Sequence, residues 1–436
     1  MRYPVAIPSL LLAALASAIS GFAATAAGPL HFAFGTAPTA PGTRVAPDTA
    51  FTAALGYGFE NLPSSPAAAL TPTATAITGD QPFLFSVALP EGNYRVVVTT
   101  PDSAAPLTIK SESRRLMVEA ARGPRCEFIV NTRNAKVPPP PLNAPGNDHV
   151  ELNNRENSPT TGLVFHWDDK LTLEFNGPHP ALGTLTITPA PDVPTLFLAG
   201  DSTVTDQPRE PGASWGQMLP RWFKPTLAVA NHAESGETLK SFITELRLDK
   251  ILSVLRPGDF LLLQFGHNDE KASWPQTYVE AATTYPAYLR VYIAEARRRG
   301  ATPILVSPVQ RRQFGPDGKI RNSHGDYPAA VARVAREENV PFIDLAALSA
   351  AFYEALGPDQ SPLAFSAGGR DVTHHNNYGA YELAKAVVAG LRAQVPALAP
   401  AIVDDFPGFD PAHPDTPATF TLAPSPGRTT QAPRGN

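Results

Sequence analysis

The sequence predicts two domains in tandem, an antiparallel β-sandwich over residues 31–189 and an open α/β sheet with helices on both faces over residues 195–398. Three observations lead there. Period-two alternation fills the first stretch, compact apolar runs alternate with helix-spaced segments in the second, and the proline-bounded linker "PAPDVP" divides them. A chain of 436 residues is also too long for one ordinary core.

In the first domain, "FLFSVALPEGNYRVVVTT" alternates apolar and polar residues on both sides of Pro90, Glu91 and Gly92, the pattern of two strands around a turn. "KLTLEFNG" and "GTLTITP" repeat the period, while the piece from Arg114 to Glu119 can be read as strand or helix. The single cysteine, Cys126, shares one strand face with Phe128 and Val130, which suits a small buried hydrophobe. "PPPPLNAPGN" after Val137 cannot enter a sheet and is read as a loop.

In the second domain, "TLFLAG", "LAVAN", "DFLLLQFG", "TPILVSP" and "PFIDL" are short apolar runs suited to strands buried on both faces of a parallel sheet. "YPAYLRVYIAEARRRG", "PAAVARVAREENV" and "YGAYELAKAVVAGLRAQV" carry apolar residues at helical spacing, and Gly300 closes the first of them. Beyond Pro400 periodicity stops and Pro, Thr and Gly accumulate, so residues 401–436 are expected to form a disordered tail.

Bulk properties exclude several functions. The net charge of −5 is mixed, with no basic stripe for nucleic acid. A glycine-rich phosphate loop is absent from the second domain, so no cofactor is expected. Adjacent His374 and His375, with Asp371, His267 and His232, raise the idea of zinc. No His-x-x-x-His or glutamate pairing supports it, so no metal is assigned. Arg2, the apolar run from Val5 to Ile19 and the small residues Ala24 and Ala26 read as a signal peptide over residues 1–27. The expected location is secreted or periplasmic, with no membrane partner after cleavage.

In an open α/β sheet, ligands bind at the carboxyl ends of the strands. There the sequence places Ser202 after "TLFLAG", Gly236 after "LAVAN", Asn268 after "DFLLLQFG", and Asp371 and His374 before the last helix. This set suits acyl transfer. A serine hydroxyl needs a base, the base needs a carboxylate to orient it, and the tetrahedral intermediate needs donors for its oxyanion. Ser202, His374 and Asp371 supply the first three. The Asn268 amide and the backbone N–H groups of Gly236 and Ser202 supply the donors.

"FLAGDSTVTDQ", "NHAESGETLKSF", "QFGHNDEK" and "DVTHHNNYGAYELAKAV" resemble, in order, the four blocks of the SGNH (GDSL-like) hydrolases, and more narrowly the rhamnogalacturonan acetylesterases. The resemblance runs from about Thr195 to Val395. It implies a flavodoxin-like three-layer α/β/α fold and carries Ser202, Gly236, Asn268, Asp371 and His374 onto the family's catalytic roles. "FEN" to "LEFNG" is similar to the galactose-binding-like β-sandwich that precedes the esterase in two-domain bacterial relatives. The implied partner is acetylated plant cell-wall polysaccharide, the pectic backbone in particular. The rival readings are an esterase on another acetylated polysaccharide such as xylan, and a polysaccharide-binding protein with an inert hydrolase domain.

Arg311 and Arg312 follow the strand "TPILVSP" and can reach the same edge, where a guanidinium would hold a galacturonate carboxylate. An intramolecular ion pair is the alternative. His324, in "NSHGDYP", is a further candidate for the substrate cleft. Trp215 reads as core or cleft wall, and Tyr57, Phe59 and Trp167 as sandwich aromatics able either to stack on sugars or to pack the core.

Overall fold

The computed structural model describes residues 28–37, 42–61, 68–138, 150–153 and 164–429. The expected signal peptide and most of the "PPPPLNAPGN" loop lie outside the described residues.

The N-terminal half is built from two five-stranded sheets. One runs in the order Arg125–Thr132, Gly92–Thr99, Thr184–Pro189, Leu30–Ala33, Thr43–Arg44. The other runs Tyr57–Phe59, Phe83–Ala88, Lys170–Asn176, Leu107–Ser111, Arg115–Ala121. Pairing is antiparallel throughout except where Leu30–Ala33 meets Thr43–Arg44. The two strands around Pro90–Gly92 do not pair with each other. They belong to opposite sheets, so that turn carries the chain across the sandwich. The alternation reports which side of each strand is buried, and says nothing about the partner.

Phenylalanines fill the space between the sheets. Phe85 is fully buried, with Phe32, Phe34 and Phe59 at ring-centroid distances of 5.5, 5.1 and 5.2 Å, all edge-on. Cys126, Phe128 and Val130 line the same core. So does Phe59. Trp167 is buried against Arg133 and His232, and Tyr57 packs on Phe32, so core packing accounts for the sandwich aromatics.

The C-terminal half carries five parallel strands: β1 (Thr195–Gly200), β2 (Ala228–Asn231), β3 (Phe260–Gln264), β4 (Thr302–Val306) and β5 (Phe342–Ile343). Their order is β2-β1-β3-β4-β5, the flavodoxin-like arrangement. Helices α1 (Leu239–Thr244), α2 (Arg247–Val254), α3 (Thr284–Arg298) and α4 (Tyr327–Glu337) cover one face. Helices α5 (Leu345–Gln360) and α6 (Asn377–Gln394) cover the other, joined by the segment around Trp215 and Trp222. Successive residues of β1 divide between the layers: Leu196 and Leu198 pack toward α6, Phe197 and Ala199 toward α3. Both faces are apolar because both are covered. Trp215 is core, its indole N–H donating to Gln264 at 2.8 Å.

The structure departs from the expected disordered tail over residues 401–429. This segment straps both halves without regular structure. Phe406 packs on Trp222, and Phe420 on Tyr378 and Tyr381. Lys110 of the sandwich donates to the Ala423 carbonyl at 2.7 Å, and Ser425 donates to Glu174 at 2.6 Å. Its anchors are isolated side chains, which leave no periodic signal. Residues 430–436 lie outside the described residues.

Phe85→Ala should lower unfolding free energy by about 3–5 kcal/mol, read as a drop in the urea midpoint, since the cavity would open where three other rings meet.

Candidate active site

At the end of β1 the chain turns through Asp201 and Ser202. The Asp201 carboxylate accepts the Thr203 N–H at 2.9 Å and the Thr203 hydroxyl at 2.8 Å, while its carbonyl accepts from Val204 and Thr205. Gln207 donates to the Ser202 carbonyl at 2.9 Å. The turn also needs Gly216, because a Cβ there would run into the Val204 carbonyl. Ser202 is thereby set on a rigid turn.

From the loop ahead of α6, His374 places Nε2 2.9 Å from Ser202 Oγ and Nδ1 2.9 Å from Asp371 Oδ2. Since a carboxylate only accepts, Nδ1 carries the proton and Nε2 is free to accept from the serine. The backbone N–H groups of Thr373 and His374 donate to Asp371 Oδ1 at 2.8 and 2.9 Å, and Ser366 donates to Oδ2 at 3.2 Å. Burial alone would raise the Asp371 carboxyl, but the hydrogen bond and charge of His374, with these backbone donors, hold it well below the usual carboxylate range. All three side chains are buried, where such contacts are stronger than in water.

Gly236 lies in the tight turn after β2 at φ +83°, a conformation suited to glycine, and is half-exposed. Its neighbour Glu237 accepts the Asn268 side-chain N–H through its carbonyl at 3.0 Å, so the β2 and β3 loops converge. Among the described residues, neither the Ser202 nor the Gly236 N–H has an acceptor. Lys271 donates to Asn268 Oδ1 at 3.0 Å, which fixes the amide flip and turns its second N–H away from the lysine.

Arg311, Arg312 and His324 all have partners within the chain. Arg311 pairs with Glu270 at 2.6 Å and reaches the His267 carbonyl. Arg312 donates to the Gly369 carbonyl at 2.6 Å, lies over Phe365, and takes its backbone partner from Val372. These guanidiniums brace the loops that carry Asn268 and Asp371. His324 is buried, with Nδ1 2.9 Å from Glu270 and Nε2 2.8 Å from the Val309 carbonyl. His375 Nε2 and the Tyr353 hydroxyl share a hydrogen bond at 2.7 Å, and burial pushes the imidazole down to about 3. His267 is lowered to about 4, also chiefly by burial. Among the described residues, no three His, Cys, Asp or Glu side chains are grouped as metal ligands.

Sequence reading missed a layer behind the serine. Asp206 forms ion pairs with Arg115 at 3.1 Å and Arg133 at 3.3 Å, both from the sandwich, and accepts from Asn231 at 2.8 Å. Arg114 donates to the carbonyls of Gln207 and Gly212 at 3.0 and 2.8 Å. Gln217 donates to the Ser113 carbonyl at 2.7 Å. The run Glu112-Ser113-Arg114-Arg115, dense in charge inside a strand domain, was the available signal.

A flavodoxin-like sheet with serine, histidine and aspartate in series at its carboxyl edge defines the class of α/β serine hydrolases. Residues 198–381 match the GDSL-like lipase/acylhydrolase family, and the chain belongs to it as an esterase. Rhamnogalacturonan acetylesterase RhgT of Bacillus subtilis is 40% identical over 209 residues, covering 45% of this chain and 88% of its own length. The probable rhamnogalacturonan acetylesterase YesY of the same species is 41% identical over 202 residues, with 45% and 92% covered. A crystal structure of YxiM from Bacillus subtilis, 26% identical, covers 84% of this chain and 98% of that one at a TM-score of 0.46.

His375 gives a pH prediction. The unfolded chain takes up this proton near pH 6.5, whereas the folded chain resists until about 3. The contribution is therefore fully present above about pH 6.5 and lost as pH falls toward 3. The urea midpoint should drop between about pH 7 and about pH 4.5, and less steeply in His375→Gln. Lys271→Met should lower kcat about ten-fold on any ester with KM little changed, because the oxyanion amide loses its orientation, and Lys271→Arg should recover part of that loss.

Proposed function

We propose that this esterase removes O-acetyl groups from carbohydrate, with the acetylated rhamnogalacturonan backbone of pectin as its substrate. The observation that carries the chemistry is the relay from Asp371 through His374 to Ser202, with 2.9 Å at each link. Ser202 Oγ attacks the acetyl carbonyl as His374 Nε2 takes its proton, and the imidazolium gains the Asp371 carboxylate as its partner. The oxyanion meets the N–H groups of Ser202 and Gly236 and the Asn268 amide. His374 then returns the proton to the departing sugar oxygen, leaving acetyl on Ser202. Water, deprotonated by the same nitrogen, releases acetate and restores the serine.

The acetyl and pectic assignments draw on two relatives named as certain or probable rhamnogalacturonan acetylesterases, each matched over about nine-tenths of its length. A polymeric wall substrate also agrees with export through the N-terminal segment 1–27, toward the periplasm or medium.

Acetate release from acetylated rhamnogalacturonan and from acetylated xylan, by the intact chain and by Ser202→Ala, tests the reading. Pectic release should dominate and fall by at least about 10³-fold in the variant. Dominant release from xylan would discard the pectic assignment and keep the mechanism. A variant as active as the intact chain would sink the mechanism itself.

A further inference from the structure

We propose that Trp274 is the platform on which the sugar ring bearing the acetyl group stacks, an inference that rests on the carbohydrate reading above. Of the four tryptophans, Trp167, Trp215 and Trp222 are buried, whereas Trp274 is 48% exposed. An indole that open to water keeps apolar surface that no core packing covers.

Its place in the fold gives that face a use. Lys271 Nζ lies 5.0 Å from the centroid of the Trp274 ring and 3.0 Å from Asn268 Oδ1, so one ammonium joins the indole to the oxyanion amide. The connecting segment is held by its own backbone. Lys271 N–H donates to the Asn268 carbonyl at 3.1 Å, Trp274 N–H to Lys271 at 2.9 Å, and Tyr278 N–H to Trp274 at 2.9 Å. Val279 closes it onto Asp269 at 3.0 Å. The ring is thus carried by a series of hydrogen-bonded turns, which reduces the entropy lost when a ligand settles on it.

A pyranose suits such a surface. Its axial C–H groups form an apolar, weakly positive face that meets the electron-rich indole, while its hydroxyls stay at the rim in water. An acetyl ester projects from that rim, so a ring seated on Trp274 presents its carbonyl toward Asn268. In the sandwich, Phe59 and Trp167 are buried and Tyr57 packs on Phe32.

Steady-state kinetics of the full chain, Trp274→Ala and Trp274→Tyr on 4-nitrophenyl acetate and on the acetylated polysaccharide it deacetylates fastest would test the platform. The ratio of KM for the polymer to KM for the small ester should rise about three- to ten-fold in Trp274→Ala, and Trp274→Tyr should return it most of the way. An unchanged ratio, or an equal loss on both substrates, would overturn the platform and leave the carbohydrate reading standing. An intact chain that cleaves the small ester but no acetylated polysaccharide would overturn both.

Discussion

The Asp206 carboxylate is the contact on which the rest of the site depends. It lies four residues beyond Ser202, buried, and faces Arg115 and Arg133 of the sandwich and Asn231 of β2. A charge taken out of water requires partners, and removing one is more damaging than never having had the pair. The chain has met that requirement across a domain boundary. The loop after the nucleophile is therefore fastened on one side to its own sheet and on the other to a second domain. Arg114 and Ser113 extend the same attachment to Gln207, Gly212 and Gln217. In this arrangement the sandwich is part of the wall behind the serine.

The catalytic histidine is held in a comparable way by the loop ahead of α6. Asp371 is surrounded by donors from its own turn and from Ser366, and Arg312 ties that turn to the strand edge through Gly369 and Val372. Arg311 does the same for the Asn268 loop through Glu270 and the His267 carbonyl. Orientation to within tenths of an ångström is what general base catalysis and an oxyanion hole require. Cationic side chains adjacent to a catalytic centre need not touch substrate. Here their hydrogen-bonding capacity is directed at backbone and carboxylate.

Several features were not legible in the sequence for one physical reason. Alternation around Pro90–Gly92 showed which faces are buried, but pairing depends on strands far away in the chain, and these two strands lie in opposite sheets. Position at a strand end placed Arg311, Arg312 and His324 near the site. It could not reveal that Glu270, Gly369 and Val309 were waiting for their hydrogen bonds. Residues 401–429 lack any repeat, and their order comes from scattered anchors such as Phe406, Phe420 and Ser425 finding partners in both domains.

What the sequence determined by itself is whatever follows from local chemistry in chain order. Apolar runs with a defined period became the two kinds of sheet. Residues past the parallel strands became a serine, an amide and a glycine turn, because a strand end delivers its next residues to one edge whatever lies around it, and the Asp–His pair came from the loop ahead of the last helix. Only the tertiary structure decided the partners of charged groups, the crossing of strands between sheets, the course of the tail and the exposure of Trp274 against the burial of the other tryptophans. Those depend on contacts between residues from tens to hundreds of positions apart, and a hydrogen bond or a covered ring face exists only once both surfaces are in place.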